Sequence, residues 1–193
     1  MGATDGEMTR NLEMKNERFN QIELTKPLAH FQMLVHLDIS MNKIAAIDGT
    51  FENCANLRTV SISDNLLREI SPFIFAKCKQ IRSINLDINQ ITKLQNLHGL
   101  SNLHELSVQN NKISVMEGLT SLSKLRRLNL SFNRITKLEG LSNCQMLEFI
   151  ELGKNQITTV DSLMTAQNKF VFLTELYLYI NRLRSFPRQL SLP

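Results

Sequence analysis

A chain of 193 residues, 42% of them hydrophobic, is long enough for one domain with a continuous core, and a net charge of +4 with a pI near 9.1 makes it mildly basic. That balance falls short of the dense Lys/Arg runs of nucleic-acid arms and membrane-surface segments. No stretch approaches ~18 uninterrupted apolar residues and the polar start MGATDGEMTRNLEMKNERF has no apolar h-region, so neither a membrane span nor a secretory leader is read here; Gly6 also breaks a myristoylation pattern.

In chain order, residues 1–8 are expected to be disordered. A degenerate repeat with Glu17 where later units carry asparagine then forms an N-terminal cap over about 9–33. Seven phrases follow over 34–193 at intervals of 22 to 26 residues: LVHLDISMNKI, LRTVSISDNLL, IRSINLDINQI, LHELSVQNNKI, LRRLNLSFNRI, LEFIELGKNQI and LTELYLYINRL. Each is an aliphatic, two free positions, aliphatic-x-aliphatic, two free positions, asparagine, one free position, aliphatic. Alternation across a short strand points pairs such as Leu37/Ile39, Val60/Ile62, Leu106/Val108 and Leu128/Leu130 inward. The asparagines Asn42, Asn65, Asn89, Asn111, Asn133, Asn155 and Asn181 stand where the chain leaves the strand, and a side-chain amide there satisfies backbone groups that the bend orphans.

The backs between phrases are short. The first two, IDGTFENCANL and ISPFIFAKCKQI, carry phenylalanines. Three 22-residue units, KLQNLHGLSNL, VMEGLTSLSKL and KLEGLSNCQML, place Gly99, Gly118 and Gly140 before leucine, where a tight bend is expected to exclude a Cβ. The longer DSLMTAQNKFVFL extends to a two-turn helix. Cys54, Cys78 and Cys144 share a column, three residues before a phrase, with Phe31, Leu100, Leu122 and Phe170, and read as small core fillers; the absence of clustered, pairable cysteines favours a reducing, intracellular setting. The chain stops at LRSFPRQLSLP without a recognisable C-terminal cap, so its open end is expected to be covered by further chain or a partner.

Units this small cannot bury an apolar face alone and must stack. The pattern is identified as that of the leucine-rich repeats, and residues 80 to 165 most resemble the 22-residue subclass typified by a regulatory subunit of type-1 protein phosphatase. The resemblance implies an α/β solenoid: a right-handed curved superhelix with a concave parallel β-sheet and a convex side of short helices and turns. It also implies a non-enzymatic binder of proteins, cytoplasmic and in some relatives cytoskeletal, ciliary or nuclear. A phosphatase regulator is the sharper alternative.

Three columns of free positions form the concave face. One runs His36, Thr59, Ser83, Glu105, Arg127, Phe149, Glu175; the next Asp38, Ser61, Asn85, Ser107, Asn129, Glu151, Tyr177; the last Ser40, Ser63, Asp87, Gln109, Ser131, Gly153, Tyr179. Bulk collects at the C-terminal end in Arg127, Phe149, Glu151, Glu175, Tyr177 and Tyr179, with Gly153 leaving space between them; aromatics beside charges are the composition of interface anchors. These six are the candidate protein-binding residues. Five acids against Arg127 make the face acidic, while Lys43, Lys112, Arg134 and Arg182, one place after the ladder asparagines, form a basic edge with Lys93, Lys137 and Arg184 nearby. That edge lacks the aromatics that stack bases, which leaves nucleic-acid binding the weaker alternative.

His36, Asp38 and Ser40 share one face of a strand, yet side chains two apart there sit about 6.6 Å from each other and a shallow sheet supplies no oxyanion donors. No catalytic residues are assigned. His30, His98 and His104 show no metal spacing, and no metal or nucleotide cofactor is expected.

Overall fold

The computed structural model describes residues 9–15, 28, 31–47, 51–72, 74–164 and 170–184. Eight strands of three residues each follow in chain order: β1 (Asn11–Glu13), β2 (His36–Asp38), β3 (Thr59–Ser61), β4 (Ser83–Asn85), β5 (Glu105–Ser107), β6 (Arg127–Asn129), β7 (Phe149–Glu151) and β8 (Glu175–Tyr177). They build one sheet in that same order with every neighbouring pair parallel. β1 belongs to the degenerate cap repeat, and each strand from β2 to β8 is the centre of one phrase. Its middle residue and the aliphatic after the strand turn inward, so Leu37, Ile39, Leu106, Val108, Leu128 and Leu130 are buried, while the first and third strand residues lie on the open face.

β1 enters the sheet in the register assigned to the cap, Leu12 opposite Leu37. Glu17 and residues 1–8 lie outside the described residues. At the other end Leu176, Leu178 and Leu183 are only partly buried against the core.

From residue 31 on, the convex side is made of turns rather than helices among the described residues. The exception is a 3-10 turn at Asp161–Met164, the first part of the segment read as a two-turn helix; 165–169 are outside the described residues. The phenylalanine backs stack, with the buried Phe51 and Phe75 rings 6.1 Å apart at 24°. In the three 22-residue units one residue per back takes a left-handed bend instead.

At that bend the structure corrects one glycine assignment. Gly118 and Gly140 have φ of +75° and +78°, and a Cβ on either meets the preceding back's carbonyl, Leu94 O at 2.2 Å and Met116 O at 2.9 Å. Gly99 is not in this register. Asn96 takes the equivalent bend at φ 62°, its amide donating to Ile70 O, and a Cβ on Gly99 meets nothing but the flexible Lys79 side chain. Asparagine tolerates the left-handed region better than other side chains, so it substitutes for glycine here.

A second left-handed column was not apparent from residue types. The residue before each ladder asparagine, Met41, Asp64, Ile88, Asn110, Phe132, Lys154 and Ile180, has φ between 52° and 60°. For the β-branched Ile88 and Ile180 this conformation costs on the order of 1–2 kcal/mol, and the repeating geometry of the ladder turn holds it.

The three cysteines are free and buried in the column assigned to them. Burial pushes the thiols of Cys54 and Cys144 up to about 11 and that of Cys78 to about 12, and each points at a carbonyl of the preceding unit, Cys54 at Leu28, Cys78 at Phe51 and Cys144 at Leu119. They are inert core groups at neutral pH.

Candidate protein-binding face

The asparagine ladder fixes the strands that carry the face. The Nδ2 of Asn111 donates to three carbonyls, Leu86 at 3.0 Å in the preceding unit and Val108 at 3.0 Å and Gln109 at 3.2 Å in its own, while its Oδ1 accepts the Ile91 amide at 2.9 Å. Asn65, Asn89, Asn133 and Asn155 repeat the pattern. Asn42 donates to Met14 O in the cap, and Asn181 closes the series half-exposed. One side chain thus pairs four backbone groups, which locks successive strands in register.

On the open face the three columns differ in depth. In the first column His36, Glu105, Arg127 and Glu175 stand out into solvent, and Thr59, Ser83 and Phe149 are half-buried. The third column does not form free surface as anticipated: Ser40, Ser131 and Gly153 are buried and Ser63, Asp87 and Gln109 half-buried, because this position immediately precedes the left-handed turn and tucks beneath it. Tyr179, 46% exposed, is the departure, and its ring fills the space above Gly153; a Cβ there would sit 2.3 Å from its Cζ. Gly153 therefore seats Tyr179 rather than leaving an opening.

The six candidate residues divide into two groups. Arg127, Phe149 and Tyr177 form a continuous row across β6, β7 and β8, with the Arg127 guanidinium 4.3 Å above the Phe149 ring centre and the Phe149 and Tyr177 rings 5.6 Å apart at 49°. These are favourable cation–π and tilted aromatic geometries. Tyr177 donates its hydroxyl to Glu175 at 2.9 Å, and that hydrogen bond and charge push the phenol pKa above its usual value. Glu151 turns back to accept the Gly153 amide at 2.7 Å. Tyr179 on Gly153 stands apart from the row.

Other acids of the face are engaged locally. Glu105 accepts from Ser83 at 3.1 Å. Desolvation pushes Asp38 up, but hydrogen bonds from Ser40 and the Lys15 ammonium, 3.0 Å away, outweigh it and hold the carboxyl below its ordinary value. His36 contacts Thr59 at 2.6 Å rather than Asp38, and Ser40 donates to Asp38, so the three residues form no proton relay.

Asp87 has the opposite sign. Burial raises its pKa despite donation from the Ser107 hydroxyl at 2.6 Å and the Gln109 amide at 2.7 Å. A carboxyl whose folded pKa exceeds its unfolded one holds its proton more tightly in the fold, so its contribution is full below the unfolded value and is lost as pH rises through the folded one. Asp87→Asn keeps an oxygen acceptor for both donors. Its melting temperature relative to wild type is therefore expected to rise progressively above about pH 4, as followed by thermal melts across pH.

Family comparison matches one model described as leucine rich repeat in two overlapping places, 32–91 and 55–113, and a second described as leucine rich repeats (2 copies) at 101–143. Together they run over more than half of the chain. It belongs to the leucine-rich-repeat family. Among solved structures, internalin C2 of Listeria monocytogenes superposes with a TM-score of 0.82 at 24% identity, covering 95% of this chain and 76% of its own. A leucine-rich-repeat protein of Leptospira interrogans gives 0.79 at 22%, covering 95% and 58%. A TLR13–ssRNA13 complex gives 0.75 at 25%, covering 88% of this chain and 25% of that one. Comparison with curated proteins returned no match. Likenesses at this identity carry the fold, and the matching models describe repeats rather than any catalytic family.

Two surface features of the leucine-rich-repeat chain were missed in the sequence columns. Lys154 sits 4.2 Å over the exposed Phe132 ring at the strand-exit turns. The second position of each phrase stacks as Val35, Arg58, Arg82, His104, Arg126, Glu148 and Thr174, a column dominated by bases along the strand-entry edge, opposite the Lys43–Lys112–Arg134 edge. Among the described residues no His/Cys/Asp/Glu group is placed to hold a metal, and no helix is long and apolar enough to cross a membrane.

Proposed function

We propose that this chain is a non-catalytic interaction module that holds a protein or peptide partner on the C-terminal half of its concave face. Leucine-rich-repeat proteins generally act as protein-interaction modules, and the observation that supports this placement is the Arg127–Phe149–Tyr177 row. Arginine and tyrosine supply most of the energy at interfaces, and a preassembled row loses little side-chain freedom on binding. Glu151, Glu175 and Tyr179 frame it. Buried free thiols support an intracellular, cytoplasmic setting in which the module serves as a scaffold of a cytoskeletal or ciliary assembly.

The narrower reading, a regulatory subunit of a protein phosphatase, draws its support from the 22-residue units and from the acidic, aromatic concave surface. Capture from cell lysate tests both readings. Wild type is expected to retain partners that a Phe149→Ala, Tyr177→Ala, Tyr179→Ala variant of unchanged circular dichroism loses, at about 2 kcal/mol per anchor. A phosphatase catalytic subunit among them selects the regulator. Retention of every partner by the folded variant would refute the site.

A further inference from the structure

The strand-entry edge is a second charged surface, separate from the aromatic row. Arg10, Val35, Arg58, Arg82, His104 and Arg126 stand in single file, because each carbonyl accepts the amide of the next residue at 2.8 Å. Arg58 and Arg82 are thereby held one strand spacing apart, about 4.8 Å at the backbone, with Arg10 and Arg126 each two spacings away from this pair. Arg126 is neutralised by Glu148 at 2.7 Å, but among the described residues Arg10, Arg58 and Arg82 have no ion pair. His104 donates Nδ1–H to Asn102 O at 2.6 Å. Between Arg10 and Arg58 lies a depression of about 530 Å³, lined by Met33 and Val35 with Asn56 and Gln80 also at its wall.

We propose that this edge docks an acidic peptide segment of a protein partner, in extended form along the strip. Guanidiniums take carboxylates in bidentate pairs, and a bound anion relieves the repulsion between stacked arginines. From Arg10 to Arg82, the span of the three arginines without an ion pair, is three strand spacings, about 14 Å, or four to five extended residues, which leaves room for about three carboxylates. An aliphatic side chain beside them fits over Met33, which is 40% exposed. The strip's residues include no phenylalanine, tyrosine or tryptophan on which a base stacks, so a nucleic acid would be held mainly by charge. The acidic concave face repels the same segment and confines it to the edge.

The test is fluorescence anisotropy of the full chain with a short labelled peptide of glutamate and aspartate carrying one leucine, beside a labelled oligothymidylate. Wild type is expected to bind the peptide, and Arg58→Glu/Arg82→Glu to weaken it at least about tenfold. Lys112→Glu/Arg134→Glu, an equal change of charge at the opposite edge, and the Phe149/Tyr177/Tyr179 alanine variant are expected to stay within about twofold. Thermal melts establish that each variant folds. The proposal is overturned by no peptide binding to wild type, by equal loss from both reversals, or by oligothymidylate binding more tightly through Arg58 and Arg82.

Discussion

Replacing Asn111 by leucine is expected to lower the unfolding free energy by about 3 kcal/mol, the upper end of what unpaired buried polar groups cost. The side chain is 7% exposed and pairs four backbone groups: the carbonyls of Leu86, Val108 and Gln109 and the amide of Ile91. Leucine has similar volume but pairs none of them. Urea unfolding followed by circular dichroism reads the loss as a lowered midpoint at unchanged slope. Asn181→Leu, at the half-exposed end of the ladder, is expected to cost clearly less, because water reaches the groups it frees. Equal costs at the two positions would mean that the ladder stabilises by packing rather than by hydrogen bonding.

Gly118→Ala is the second large effect. At φ +75° an alanine is strained, and its Cβ lies 2.2 Å from Leu94 O and 2.9 Å from the carbonyl carbon, both backbone atoms that cannot move without shifting the preceding unit. A cost of about 2–4 kcal/mol follows. Gly99→Ala is its control. That backbone is ordinary and the added methyl displaces the end of the Lys79 side chain, so stability is expected to change by no more than about 0.5 kcal/mol. Comparable losses at both positions would remove the distinction that the structure draws between them.

The repeat frame is legible in sequence because it rests on spacing. Aliphatic positions and asparagines recur at fixed offsets, and each offset maps to one direction on a strand, so the ladder, the inward pairs and the cysteine column all fall where the phrases place them. Departures arise where spacing is silent. Gly99 and Asn96 are three residues apart in one unit, and the choice of which takes the left-handed bend depends on contact with Ile70 in the preceding back. Ser40 and Ser131 share a column with Tyr179 and are nonetheless buried, since depth there is set by the turn that follows.

At the candidate face the residue types were visible but their grouping was not. Column position sets Arg127, Phe149 and Glu175 side by side, yet Phe149 meets Tyr177 diagonally, and Tyr179 turns away onto Gly153. Side-chain rotation decides this, and no periodicity encodes it. The entry-edge arginines are a simpler omission. Arg58, Arg82 and Arg126 occupy the same phrase position, and reading the second free place as a column of its own exposes them.

Site-specific crosslinking reports most directly on whether the concave row is the binding surface. A photoreactive phenylalanine analogue at Tyr179, beside the row, is compared with the same group at Val115, exposed on a loop away from the sheet. The partner captured by the wild-type chain is expected to crosslink from position 179 and not from 115. Crosslinking from 115 with none from 179 would contradict that expectation and move the binding site off the concave face.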